Sequence, residues 1–509
     1  MPLPAVDAGA IIKRGAGTLT LEATADATLK LTSSDDNTGY TKEDALTFPA
    51  DGSAPAKYNA ITVTEGELVI SGASGDTVPK LTVDGKQVVS VGAPTTEHTG
   101  EPAVQPGFAV DHANVSVTTI NLGSGLAADK TFVREPYLAV RNGGVLSVST
   151  LATPGSDSSV PGVRVLADNG TVNSICDFND SDSAAVTNCF VLANGSALLG
   201  YRHAVHGAAS LTFSNSVLAR DWKATDRTKL SPCDIAVYTL KSGSLDMTFA
   251  QGSIFACASI DYTSPTLSYG NPVNLTFDGS EWWPGSGDAQ TIGSASLNLS
   301  MNVTGGGLLL QPAEGKVWTV ITKLAGDGGL VKAGAGTVVL DLQQQYHAYC
   351  VDTETLSCTG TNVVREGLLK ITNGALVRSG CRLCAEAAGT VDFDGATVTG
   401  AILSGAGTFG NGTLVNPSIA AEAGQQPLLD FANGLSATGR GVIRFAGLPE
   451  AALGAEVAVV RYSGTLPTGL SFRVKGTTVD GLPVGGTVRI AEGVIYATPA
   501  VTGLMILVR

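Results

Sequence analysis

Gly328-Gly329-Leu330-Val331-Lys332-Ala333-Gly334-Ala335-Gly336-Thr337-Val338-Val339-Leu340 opens a stretch that closes with Val364-Arg365-Glu366-Gly367-Leu368-Leu369-Lys370-Ile371. Each part reads as a short strand, a glycine corner and a second short strand. The same text stands near the start of the chain. Gly9-Ala10-Ile11-Ile12-Lys13-Arg14-Gly15-Ala16-Gly17-Thr18-Leu19-Thr20-Leu21 repeats the opening, and Val63-Thr64-Glu65-Gly66-Glu67-Leu68-Val69-Ile70 repeats the close. A segment that recurs with its glycines in register is a structural repeat. Strands this short cannot bury a face alone, so successive copies must stack.

Working outward, the pattern becomes regular from Tyr137. Leu138–Val148, Val163–Val172 and Phe190–Leu199 each read as strand, corner, strand, and their corner glycines Gly143, Gly170 and Gly195 lie about 25 residues apart. Asn-Gly between apolar strands is a strong hairpin signal. The spacing is nevertheless too long for a meander and suits a three-sided coil, in which Gly and Asn turn the chain between faces. Val, Leu, Ile and Ala should point inward and stack one rung apart, with Asn ladders along the corners. The reading is all-β: a right-handed parallel β-helix over residues 1–424 and a β-rich C-terminal cap over 425–509, where strands lengthen. Loop insertions are expected at about 35–57, 220–235 and 343–360.

The paired blocks resemble the autotransporter-associated β-strand repeat, which reads roughly K-x-G-x-G-T-L-x-L, a variable loop, then V-x-x-G-x-L-x-V. The resemblance covers residues 328–371 and two pieces within 9–72. It implies a right-handed parallel β-helix of the kind found in long secreted or surface-displayed bacterial proteins. In that family the repeat is scaffold and carries no activity.

Composition narrows the function. The 509 residues include 63 glycines, only 15% are charged, and the net charge is −14. That sign argues against nucleic acid or an anionic membrane as the main partner. No run is long enough for a membrane helix. No secretory leader is visible, so the expectation is a piece of a longer exported protein, placed outside the cell or on a bacterial surface. Eight cysteines suit an oxidising compartment. Cys350 with Cys358 and Cys176 with Cys189 bracket polar loops and are the expected disulfides. Cys233 and Cys257, one rung apart, are placed to stack. The C-x-x-C at Cys381–Cys384 lacks the following helix that redox chemistry uses and the second ligand pair that zinc needs.

Candidate binding residues lie where charge and aromatic area interrupt the rungs. Arg220–Lys229 carries Asp221, Trp222, Asp226 and Arg227: Trp222 to stack on a sugar, Arg227 to grip a carboxylate, the two Asp as an acid and a base. Trp282 and Trp283 are adjacent, so one of them should face outward. The ligand-binding candidates are therefore Trp222, Arg227, Trp282 and Trp283. No catalytic residue, metal site or cofactor is assigned; His203 and His206 lack a third ligand. The expected function is a non-catalytic, adhesin-like β-helix that displays binding loops to a glycan or a host or cell-surface protein. The alternative is a β-helix polysaccharide lyase or glycoside hydrolase.

Overall fold

The computed structural model describes residues 10–23, 25–31, 60–73, 80–84, 88–91, 105–122, 136–152, 163–178, 188–205, 208–223, 226–237, 243–262, 272–294, 297–341, 354–372, 376–421, 429–432, 434–463 and 470–502. Among them there is no α-helix; strands dominate, and long parallel sheets form a β-solenoid. The chain divides into two compact units, Met1–Thr276 with Ser296–Leu299, and Phe277–Ala295 with Ser300–Arg509.

In the first unit, one parallel sheet is built from Glu67–Gly72, Gly107–Asp111, Tyr137–Arg141, Arg164–Asp168, Asn188–Ala193, Ala209–Ser214 and Leu245–Ala250, one strand from each coil. Alternate residues point inward, so each inward position stacks on its equivalent in the next coil. One column runs Leu68, Phe108, Leu138, Val165, Phe190, Leu211, Met247. The next runs Ile70, Val110, Val140, Ala167, Leu192, Phe213, Phe249. All of these are buried. The Phe213 and Phe249 rings stack at 4.9 Å, nearly parallel.

The second face comes from longer strands, Asn114–Leu122, Val145–Ala152 and Thr171–Phe178. The last of these is met by two short strands of the following coil, Ala197–Leu199 and Arg202–Val205. In this coil the face is divided at Gly200 and Tyr201 into two short segments. Corners are taken by residues in the left-handed region: Asn142, Asn169, Asn194 and Asn215 have φ between 47° and 55°. Asn tolerates this conformation better than most residues because its short side chain bonds locally. The expected corner ladder is present in mixed form. Asn142 donates to Asp111 at 2.8 Å and Asn194 to Asp168 at 2.7 Å, each across one coil.

In the second unit the stretch that decided the reading is seen to be two neighbouring coils. Lys332 pairs with Val364, Thr337 with Leu368 and Val338 with Leu369, so the opening half of the repeat lies in register against its closing half. The first copy does the same, with Lys13 against Val63 and Thr18 against Glu67. The column Trp318, Val338, Leu369, Val391, Phe409, Phe431 forms the core of this unit. Parallel pairing continues beyond residue 424, as far as Arg440–Phe445 against Ser471–Gly476. Antiparallel pairing then takes over: Val494–Val501 is flanked by Val457–Tyr462 and Pro483–Ala491. Arg489 joins Glu456 through two nitrogens and lies over the Tyr496 ring at 4.2 Å.

Candidate functional site

The loop after Val217–Ala219 is tied back onto its own base. Arg220 N–H donates to Ser231 O at 2.9 Å, and Ser231 N–H donates to Asp221 O at 2.9 Å. Inside the loop, the Asp226 carboxylate accepts from Thr228 N–H at 3.0 Å and from its hydroxyl at 2.6 Å. These bonds cap a single 3-10 turn, Arg227–Lys229. A small capped turn of this kind holds its shape with few residues because Asp accepts from the backbone two positions on. The described residues of the loop, 220–223 and 226–231, are thus held by bonds at its base and by one capped turn.

At the loop's foot, Tyr201 is 56% exposed and the Arg220 guanidinium sits over its ring, 4.9 Å from the centroid. Such a stack is favourable because the ring face carries the negative end of its quadrupole. Arg220 also pairs with Asp221 at 3.4 Å. Trp222 follows, half-buried, and Lys223 and Lys229 are exposed. Of the residues named from sequence, Trp222 and Arg227 thus share one loop, Arg227 being placed through its backbone in the 3-10 turn. Tyr201 was missed, since it is 19 residues from Arg220 in the chain and reaches it only through coil register.

The tryptophan pair of the second unit divides as alternation requires. Trp282 is buried and packs on Phe277, with ring centroids 5.9 Å apart, whereas Trp283 is half-buried. Trp282 is therefore a core residue, which corrects the expectation that it binds ligand; the phase of the strand puts it on the same side as the Phe277 ring.

The disulfide expectations also change. Among the described residues no disulfide is formed. Cys176 is buried on Thr171–Phe178 beside Leu151, whereas Cys189 lies on another sheet, half-buried between Arg164 and Ser210. Facing different ways on different sheets, the two cannot meet, and the expected Cys176–Cys189 bond is withdrawn. Cys350 lies outside the described residues. Cys358 is buried, its thiol pushed up to about 12 by burial and then by nearby Cys381. Cys233 and Cys257 do stack, as direct register partners.

Two further constellations escaped the sequence reading. On the outer side of the first unit, Glu67, Asp111, Tyr137 and Arg141 converge from three successive coils. Arg141 bonds Asp111 at 2.8 Å and lies 3.8 Å from Glu67. Tyr137 lies across Gly107, where no side chain intervenes, and hydrogen-bonds Glu67; burial and then the Glu67 charge push its hydroxyl up to about 12. A tyrosine that holds its proton is no general base at neutral pH, and each carboxylate is already engaged by the guanidinium.

The second constellation is the repeat lysine. Lys332, flanked by apolar residues, is fully buried. Its ammonium donates to Ala333 O at 3.2 Å, Gly334 O at 2.6 Å and, one coil on, Glu366 O at 2.6 Å. Lys13 makes the same set with Arg14 O, Gly15 O and Glu65 O. Burial draws Lys332 down to about 8, against the pull of Glu366, so at neutral pH it remains an ammonium with three donors and three acceptors. Gly367 completes the joint. Its φ is +71°, and a Cβ there would run into the carbonyl oxygens of Gly334 and Gly336.

No protein-family model, curated protein or solved structure matches this chain. Among the described residues no three His, Cys, Asp or Glu side chains gather as a metal site, and no helix is long and apolar enough to cross a membrane. His203 is buried with neither ring nitrogen hydrogen-bonded, and burial lowers it to about 4; His206 lies outside the described residues. A cleft of about 250 Å³ in the second unit is lined by Cys384, Ser404, Ile419, Leu429, Val457 and Val459. It brings no charged groups together.

Proposed function

We propose that this chain is a non-catalytic display scaffold that works outside the cell or on a bacterial surface, similar in kind to the autotransporter-associated repeat proteins. The solenoid holds a binding loop clear of its stacked faces. The observation that carries the reading is the Arg220–Lys229 loop, closed at its base by backbone bonds and carrying an exposed Tyr201–Arg220 stack two positions before Trp222. Recognition commonly sits on loops of rigid scaffolds, and Tyr, Trp and Arg dominate binding energy where it has been mapped. An aromatic face with a guanidinium beside it suits a glycan or the surface of another protein.

A glycan array probed with the whole chain, alongside Tyr201→Ala, Arg220→Ala and Trp222→Ala, tests it. Binding by the parent that falls at least tenfold in the variants, with thermal midpoints nearly unchanged, supports the reading. Equal binding by all four, or unfolding of the variants, refutes it. The ionisable cluster of Glu67, Asp111, Tyr137 and Arg141 is where a second reading, a carbohydrate-active enzyme of the β-helix type, is tested, although its carboxylates are engaged by Arg141. Absorbance at the unsaturated-uronate band on incubation with polyuronates, lost in Arg141→Ala, would establish that reading over the first.

A further inference from the structure

The coil brings one pair of thiols face to face. Cys233 begins the strand Cys233–Val237, Cys257 lies within Ile254–Tyr262, and the two are register partners across a single coil. Neighbouring parallel strands stand about 4.8 Å apart, inside the Cα separation of roughly 4.4–6.8 Å that a disulfide requires. The register shifts immediately after the pair, Asp234 meeting Ser259, so the backbone is already irregular there. Both side chains are fully buried. The Cys233 thiol donates to Ala256 O at 3.3 Å, the Cys257 thiol donates to Ser259 O at 3.1 Å, and the two side chains touch.

We propose that Cys233 and Cys257 are oxidised to a disulfide when the chain folds in the presence of a disulfide donor, clamping two successive coils. The clamp falls two residues beyond Ser231, whose backbone bonds close the Arg220–Lys229 loop, so it fixes the foot of that loop. The donor is a small-molecule disulfide such as oxidised glutathione, or an exposed disulfide of an oxidoreductase. One cysteine thiolate attacks a donor sulfur and expels the first donor thiolate. The second cysteine thiolate attacks the protein sulfur of that mixed disulfide and expels the other. The two protons lost by the cysteines end on the two donor thiols, so one protein disulfide forms as one donor disulfide is reduced. Burial holds the Cys257 thiol well above its ordinary pKa, and thiolate is the attacking species. Exchange therefore belongs to the folding chain, before the coil closes over the sulfurs.

The test is oxidative refolding of the full-length chain. Reduced, denatured protein is refolded in a mixture of oxidised and reduced glutathione, blocked with iodoacetamide and digested with trypsin without reduction. Trypsin cuts after Lys241, between the two cysteines. The expected result is a linked peptide pair containing Cys233 and Cys257, two hydrogens lighter than the sum of its parts, in most molecules. The refolded chain should also melt several degrees above chain refolded with dithiothreitol, a difference that disappears in Cys233→Ser/Cys257→Ser. Carboxamidomethyl groups on both cysteines in the parent product, or linkage of either to another cysteine, overturn the proposal. The peptide map of the parent decides the matter even where the double variant fails to fold.

Discussion

Replacing Lys332 by Met tests the joint between the two halves of the repeat. Methionine keeps an unbranched chain of similar length, so the apolar stem still fills its place. The substitution removes three donors and strands the carbonyl oxygens of Ala333, Gly334 and Glu366. An orphaned buried acceptor costs about 1–3 kcal/mol. Lys332 is fully buried but its bonds to the carbonyls are only part-buried, so water will recover some of that loss at the acceptors, and the variant is relieved of burying an ammonium. A net destabilisation of about 3 kcal/mol is expected. The assay is denaturant unfolding of the parent and Lys332→Met followed by far-UV circular dichroism, reading the midpoint at constant slope. Lys316→Met, which loses only the exposed pair with Asp288, serves as the control and should leave the midpoint unmoved. If Lys332→Met falls within about 0.5 kcal/mol of the parent, the ordinary range of surface changes, the lysine is a bystander and the joint is held by glycine packing alone.

Leu369→Ala, in the column between Val338 and Val391, should destabilise by about 2–5 kcal/mol in the same unfolding assay. Gly367→Ala combines a left-handed φ with a clash against two carbonyl oxygens and should lower the thermal midpoint more than Gly315→Ala, where φ is also positive but the space is open. His203 gives an acid dependence. Burial holds its folded pKa at about 4, below the ordinary 6.5, so the unfolded chain binds more protons between those values. Its contribution is complete above pH 6.5 and is lost as pH falls through 4, by roughly 3 kcal/mol in all. Comparing parent and His203→Leu from pH 7.5 to pH 4 should show the parent losing more stability by that amount; parallel curves would mean the imidazole titrates normally.

The coil was legible because its rules are local. Repeated glycine corners and alternation of apolar residues lie within a dozen positions of one another, and they mark Val, Leu, Ile and Ala as inward-facing, whereas the phenylalanines and Trp318 that share those columns emerged only from the structure. Features that depend on register between coils were not legible. Lys332 reads as a surface residue until the next coil is seen to offer Glu366 O, 34 positions away. Arg141 reaches back 30 residues to Asp111. Cys176 and Cys189 looked paired because they bracket a loop, yet the corner between sheets turns one inward and leaves the other between outward neighbours. Trp282 and Trp283 were separable only once the phase of their strand was set by Phe277. The Trp222 loop was recognised by composition, whereas its platform needed Tyr201 from the preceding turn of the coil.

The pairing of each repeat's opening half with its own closing half has a consequence for how such chains vary. Both borders of the intervening segment are held by the joint itself: by strand register, by the lysine and by the close approach of the glycine. What lies between is spliced into a closed frame. Leu340 and Val364 are 24 positions apart and Leu21 and Val63 are 42; each interval keeps a strand of the coil, Glu354–Cys358 and Ala27–Lys30, so the difference lies in the length around that strand, and the two frames share the same register and the same lysine contacts. Closing a loop twice as long costs only about 0.6 kcal/mol more. The scaffold therefore resembles a rack with standard fittings, on which inserts of different length and chemistry can be exchanged between lineages, or by design, with the core left as it was.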